Sequence, residues 1–269
     1  MVSRPDASGS GRVTLFLLKI ALPPFLVAAV SLAARRWGPT VGGLLLGLPW
    51  MTGPVLFFLA LDKGADFALD ACTGIELGVV CIAAFMLAYG AVSAFGRWPA
   101  SLAAAAAAFG ASAWAIKDVA LTLPASAAAA AVGLAAVYLL LPRRRTPAVS
   151  AALPWWDIPA RMLTAFTLVT IIMLSADALG PRLSGIVSTY PAMMTVVGAF
   201  THHQWGREAV LHMLHGLALS MLMFVVFFLA VGLSLPSVGL EPSFTLAATL
   251  VLAIDAILLL AMRRRSSEK

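Results

Sequence analysis

The sequence predicts an all-α, polytopic membrane helix bundle of about nine transmembrane helices, and three observations carry that expectation. Hydrophobic residues fill 61% of the 269 positions and charged residues only 11%, against roughly a quarter charged in ordinary globular domains. The apolar stretches recur at the ~20-residue length that a helix needs to cross a hydrocarbon core about 30 Å thick. They are also continuous, without the alternation over ~10 residues that marks barrel strands.

Taken in order, spans are expected near 13–33, 40–61, 67–95, 98–116, 123–141, 157–178, 182–201, 207–234 and 243–262. The first follows a polar dozen residues, Met1 to Arg12, with no short apolar region ending at a small-residue cleavage site, so it reads as a retained helix. The fourth is mostly alanine, yet Trp98 and Trp114 bracket it about 24 Å apart along a helix, with Lys117 just beyond. The abundance of alanine and glycine throughout suits close helix–helix approach in lipid. Cys72 and Cys81 fall in one span about 13 Å apart, too far for a disulfide, and read as small packing residues.

The segments between spans set an orientation. Arg35 and Arg36, Arg97, Arg143–Arg145, Arg207 and Arg263–Arg265 all fall on one side. The other side carries Arg4 and Arg12, the mixed Asp62, Lys63 and Asp66, then Lys117 with Asp118, Arg182, and a stretch near 235–242 with no Lys or Arg. Positive residues stay cytoplasmic, so the N-terminus is expected outside and the C-terminus inside a bacterial-type inner membrane. The same bias explains the sequence pI near 9.9 without invoking nucleic acid.

An internal repeat organises the chain. Residues 19–90 align with 161–232 without a gap, at a constant offset of 142 residues. Gly38-Pro39 falls on Gly180-Pro181, Gly43 on Gly185, Pro49 on Pro191, Phe58 on Phe200, and Gly64, Gly74 and Gly90 on Gly206, Gly216 and Gly232. Matched glycines and prolines mark matched backbone requirements. Residues 1–146 then form a first repeat of five helices and 147–269 a second of four, within a single membrane domain. An odd number of helices in the first copy turns the second upside down, giving inverted-topology repeats of the kind found in secondary transporters. In each copy the second helix is proline-interrupted, at Leu48-Pro49 and Tyr190-Pro191, and such paired interruptions point to a binding site at the repeat interface. Prolines also merely shape packing in membrane helices.

Ionisable residues within spans are costly and mark candidate sites. Lys19 and Arg161 are repeat partners and would attract an anionic group, unless they snorkel to the nearer interface. Asp66, Asp70 and Thr73 match Glu208, His212 and His215, each trio on one helix face. These predict gates or a proton relay, Lys19 near Asp66 and Asp70 at one end and Arg161 near Glu208 and His212 at the other. Helix-start charges wetted by headgroups are the plainer alternative. His212 and His215 are one turn apart, but the first copy has no histidine to complete a symmetric site, so no metal is expected. Glu76 and Asp255 lie deepest, Glu76 about 15 Å along its helix from Asp66, and are the candidate ion-binding acids. A packing role for them remains the alternative.

The stretch Leu183-Ser-Gly-Ile-Val-Ser-Thr-Tyr-Pro-Ala-Met-Met-Thr195, followed by Gly206-Arg-Glu-Ala-Val-Leu-His212 and Gly216, with Arg161 in the preceding helix, resembles the GlpM-like family. Lys19, Gly43, Gly47-Leu-Pro49 and Gly64 match it less closely. The resemblance covers about three helices per repeat and implies a fused pair of small integral membrane units, with a link to envelope or exopolysaccharide metabolism. It brings no agreed substrate and no site residues. No Walker loop, HExxH or CxxC occurs, so neither an enzyme nor a resident cofactor is expected. The function expected is a transporter or flippase moving a small anionic or amphipathic substrate, lipid-linked substrates included, by ion- or proton-coupled alternating access. Membrane lipids are the expected surroundings and a homodimer stays open. The alternatives are a non-transporting subunit of an envelope biosynthesis complex and a histidine-cluster membrane enzyme.

Overall fold

The protein, described here by a computed structural model, is all-α. Residues 7–49, 52–142, 155–171 and 190–267 are described, the helix alone within 7–20 and 255–267 and at 55, 59 and 62. Among them no strand occurs. The helices are α1 (Ala7–Trp37), α2 (Pro39–Leu46), α3 (Thr52–Lys63), α4 (Ala65–Val92), α5 (Trp98–Ile116) and α6 (Leu123–Leu140). They continue as α7 (157–171 as described), α8 (Ala192–Val238) and α9 (Leu240–Ser267). Within the described residues α4, α5, α6 and α8 are long and apolar enough to cross a membrane. The alanine-rich α5 is a continuous 19-residue helix, buried along Ser101, Ala105, Phe109 and Ala113.

The outer surface is apolar. Phe25, Trp114, Val132, Leu139, Leu163, Leu233 and Leu252 are each more than half exposed. A water-soluble monomer does not present so much large apolar side chain around its girth, whereas lipid tails solvate it.

The expected break in the second span of the first copy is present: α2 ends at Leu46 and residues 47–49 after it are not helical, with α3 following from Thr52. Proline at position 49 has no N–H to give to a helical ladder; its carbonyl instead accepts from the Gly53 N–H at 3.1 Å. In the second copy α8 starts immediately after Pro191, and residues 182–189 of that expected span lie outside the described residues. One device escaped the sequence reading: Pro23 and Pro24 lie inside α1 without ending it.

Glycine sets the turns. Gly64 sits between α3 and α4 with φ 91° and ψ 175°. Gly206 interrupts α8 with φ 79° and ψ −175°. This region of backbone space is open essentially to glycine alone, and these two residues are repeat partners. The two arms of α8 fold back on each other there, so that Gly198 of the first lies against the Met213 methyl of the second.

Contacts give the helix directions. Cys72 of α4 touches Gly232 of α8, while at its other end Tyr89 reaches Gly198 and His202, and Ser93 accepts from the Arg207 guanidinium at 3.4 Å. α4 and the second arm of α8, matched by the repeat, therefore run antiparallel. α6 wedges beside both, with Leu123 against Gly232, Gly133 against Ala83 and Leu141 against Gly90, so it runs parallel to α4. One end of the bundle gathers Arg35, Arg97 and Arg207; the other gathers Lys63, Asp66, Asp70, Lys117, Asp118 and Glu241.

Candidate functional site

A cavity of about 220 Å³ lies between the break at Leu48 and the start of α8. Its walls hold five pairs of residues at the repeat offset: Leu48 and Tyr190, Thr52 and Met194, Ile75 and Leu217, Val79 and Met221, Ile82 and Phe224. The cavity thus lies where two antiparallel units meet, each contributing the start of one helix and the middle of the next. Pro23 of α1 and Val169 of α7 close it laterally. Among the described residues no charged side chain lines it, and Thr52 and Tyr190 are the polar side chains in its wall.

Tyr190 and Pro191, singled out from the sequence, are both in that wall. The Tyr190 ring is held edge-on by Phe85 and Phe109, with centroids 6.1 Å and 5.4 Å away. Its hydroxyl accepts from Thr195 Oγ1 at 3.0 Å. Pro49 stands one residue outside the cavity and lines instead an apolar groove among α3, α8 and α9, where Phe57, Phe227 and Phe244 cluster. Leu48 borders both spaces.

The position of α2 depends on glycine. A Cβ on Gly43 would lie 1.9 Å from the Met213 carbonyl oxygen, and one on Gly216 would lie 2.1 Å from the Thr40 carbonyl oxygen. Backbone rests directly on backbone here, which brings the short helix and the cavity wall at Leu217 together.

Glu76 is fully buried on α4, and neither carboxyl oxygen has a hydrogen-bond partner among the described residues. It belongs to the same two turns as Ile75, Gly78 and Val79 of the cavity wall, but faces the neighbouring side with Cys72 and Ala83. Asp255 lies on α9, and its side chain is outside the described residues, as are those of Lys19 and Asp62.

Arg161 does not reach the cavity. It is 1% exposed and sits in a closed polar network at the basic end. Its Nε donates to Asp157 Oδ2 at 2.9 Å, Nη1 to Ser31 Oγ at 3.3 Å and Nη2 to Gln204 Oε1 at 2.5 Å. Arg35 and Gln204 also donate to Asp157, and the guanidinium lies 4.8 Å over the Phe200 ring. From the sequence Arg161 is expected near Glu208 and His212; the hydrogen bonds it makes among the described residues go to Asp157, Ser31 and Gln204. The sequence held a clue, since Asp157 precedes Arg161 by four residues on one helical face.

The polar trios divide. Asp66 and Asp70 are exposed at the start of α4, and the Thr73 hydroxyl turns back to the Leu69 carbonyl at 3.3 Å. His215 is buried; its Nδ1–H donates to the Leu211 carbonyl at 2.8 Å, and Tyr138 lies edge-on. His202 is buried against Tyr89. Among the described residues no three His, Cys, Asp or Glu side chains converge as a metal site would require. Compared with protein-family models, with curated proteins and with solved structures, the chain finds no match.

Proposed function

We propose that the chain is a membrane transporter or flippase, built as two inverted copies of one helical unit that rock about a shared central cavity. The observation that carries the reading is the cavity wall, with five residue pairs at one repeat offset meeting around a single space. The matched conformations of Gly64 and Gly206 add support. Alternating access of this kind uses broken helices at a repeat interface. A lining with no charge among the described residues favours a small amphipathic molecule over a small anion, and the GlpM-like resemblance favours an envelope component.

The Arg161 network ties α1, α7 and α8 together at the basic end, and it is read as a closed gate. At the other end the repeat maps Arg161, Phe200, Gln204 and Gly206 onto Lys19, Phe58, Asp62 and Gly64. Lys19 with Asp62 is read as the opposing gate, beside the expected pairing of Lys19 with Asp66 and Asp70. The basic end is assigned to the cytoplasm by the positive-inside rule.

The test needs no knowledge of the substrate. Thr52→Cys is introduced after Cys72 and Cys81 are replaced by alanine, and sided vesicles are treated with a small membrane-impermeant thiosulfonate. Alternating access predicts reaction from both faces. Reaction from neither face would overturn the reading in favour of a scaffold subunit.

A further inference from the structure

We infer that Glu76 is a proton-binding site, carrying a neutral carboxyl in this conformation. No exposed surface remains on it, and an ionised carboxylate taken out of water is stable only beside a cation or several donors. Among the described residues neither is within reach. On the helices packed against α4, α5 carries no titratable residue, α6 carries only Tyr138 near its far end, and residues 216–238 of α8 carry none. On α3 the charges are Asp62 and Lys63 at its last turn, where Lys63 lies over the Phe67 ring at 4.5 Å. On α4 itself the titratable groups are Asp66, Asp70, Cys72, Cys81 and Tyr89, none of them a cation.

The side chain is nevertheless not a packed-in passenger. A protonated carboxyl is both donor and acceptor, and here neither capacity is used, which leaves the group ready to exchange its proton once water arrives. Cys72 and Ala83, on the same stripe of α4, touch Gly232 of α8 and Gly133 of α6. Glu76 therefore sits where α4, α6 and α8 meet, one face around from the cavity wall. Any movement of α4 against α8 that opens the cavity also opens this seam. On the transport reading, which this last step rests on, Glu76 releases its proton when the cavity changes sides and so couples transport to a proton gradient.

Infrared spectroscopy of the full chain in lipid, with ¹³C-labelled glutamate, tests the site directly. The label distinguishes glutamate from aspartate, and the only other glutamates, Glu208, Glu241 and Glu268, lie towards the ends of their segments. The expected result is an isotope-shifted protonated-carboxyl band that persists above neutral pH and disappears in Glu76→Gln. Glu76→Asp should return the band without the isotope shift, which keeps the assignment secure if the Gln variant folds poorly. Absence of any labelled protonated-carboxyl band at neutral pH would overturn the inference. The two readings fail separately: an unreactive Thr52→Cys removes transport and leaves the band, whereas a missing band leaves the cysteine result standing.

Discussion

Asp157 accepts from Arg35, Arg161 and Gln204 at once, and with no exposure of its own it holds two guanidiniums together. Removing one partner of a buried charge network leaves an uncompensated charge, at about 3–5 kcal/mol. Asp157→Asn keeps the shape and removes the charge, so thermal unfolding in detergent should show a loss of that order. Arg35→Gln should cost less, because that side chain is partly exposed. A single-residue reading of the sequence ranks Arg161 high as a lone intramembrane cation, and the structure retains its importance while changing its role. The partners come from three helices, with α8 some 43–47 residues and α1 122–130 residues from their α7 partners, which no local spacing announces, apart from the Asp157–Arg161 pair itself.

At the level of the helices, the contact between α2 and α8 is the most demanding. Gly43→Ala and Gly216→Ala each set a methyl against a carbonyl oxygen, and the backbone cannot yield as a side chain would. Overpacking a tight core costs about 1–3 kcal/mol, and each variant should lose that much stability, whereas Gly74→Ala, with open space around it, should not. Thermal melts of the three proteins check this. Helix existence was legible here because apolar length and proline position are local properties: α5, α6 and the break at Pro49 lie where expected. Which glycines touch backbone was not legible, since Gly43, Gly74 and Gly216 look alike in sequence and differ only in what stands opposite them. The cavity was half legible. Tyr190 and Pro191 were found through the repeat, whereas Thr52, Val79 and Met221 are ordinary span residues until two units are brought face to face.

For the molecule as a whole, the sequence repeat, the antiparallel course of α4 and the second arm of α8, and the clustering of Arg35, Arg97 and Arg207 at one end all describe the same arrangement. If two copies lie inverted in a bilayer, the turns at their matched glycines must emerge on opposite faces. Ala65, beside Gly64, and His203, beside Gly206, are both exposed and suit single-cysteine labelling in a Cys72→Ala, Cys81→Ala background. An impermeant maleimide should label His203→Cys only from the cytoplasmic face and Ala65→Cys only from the other. Both sites labelled from the same face would contradict the inverted arrangement, and the shared cavity would lose its functional meaning with it.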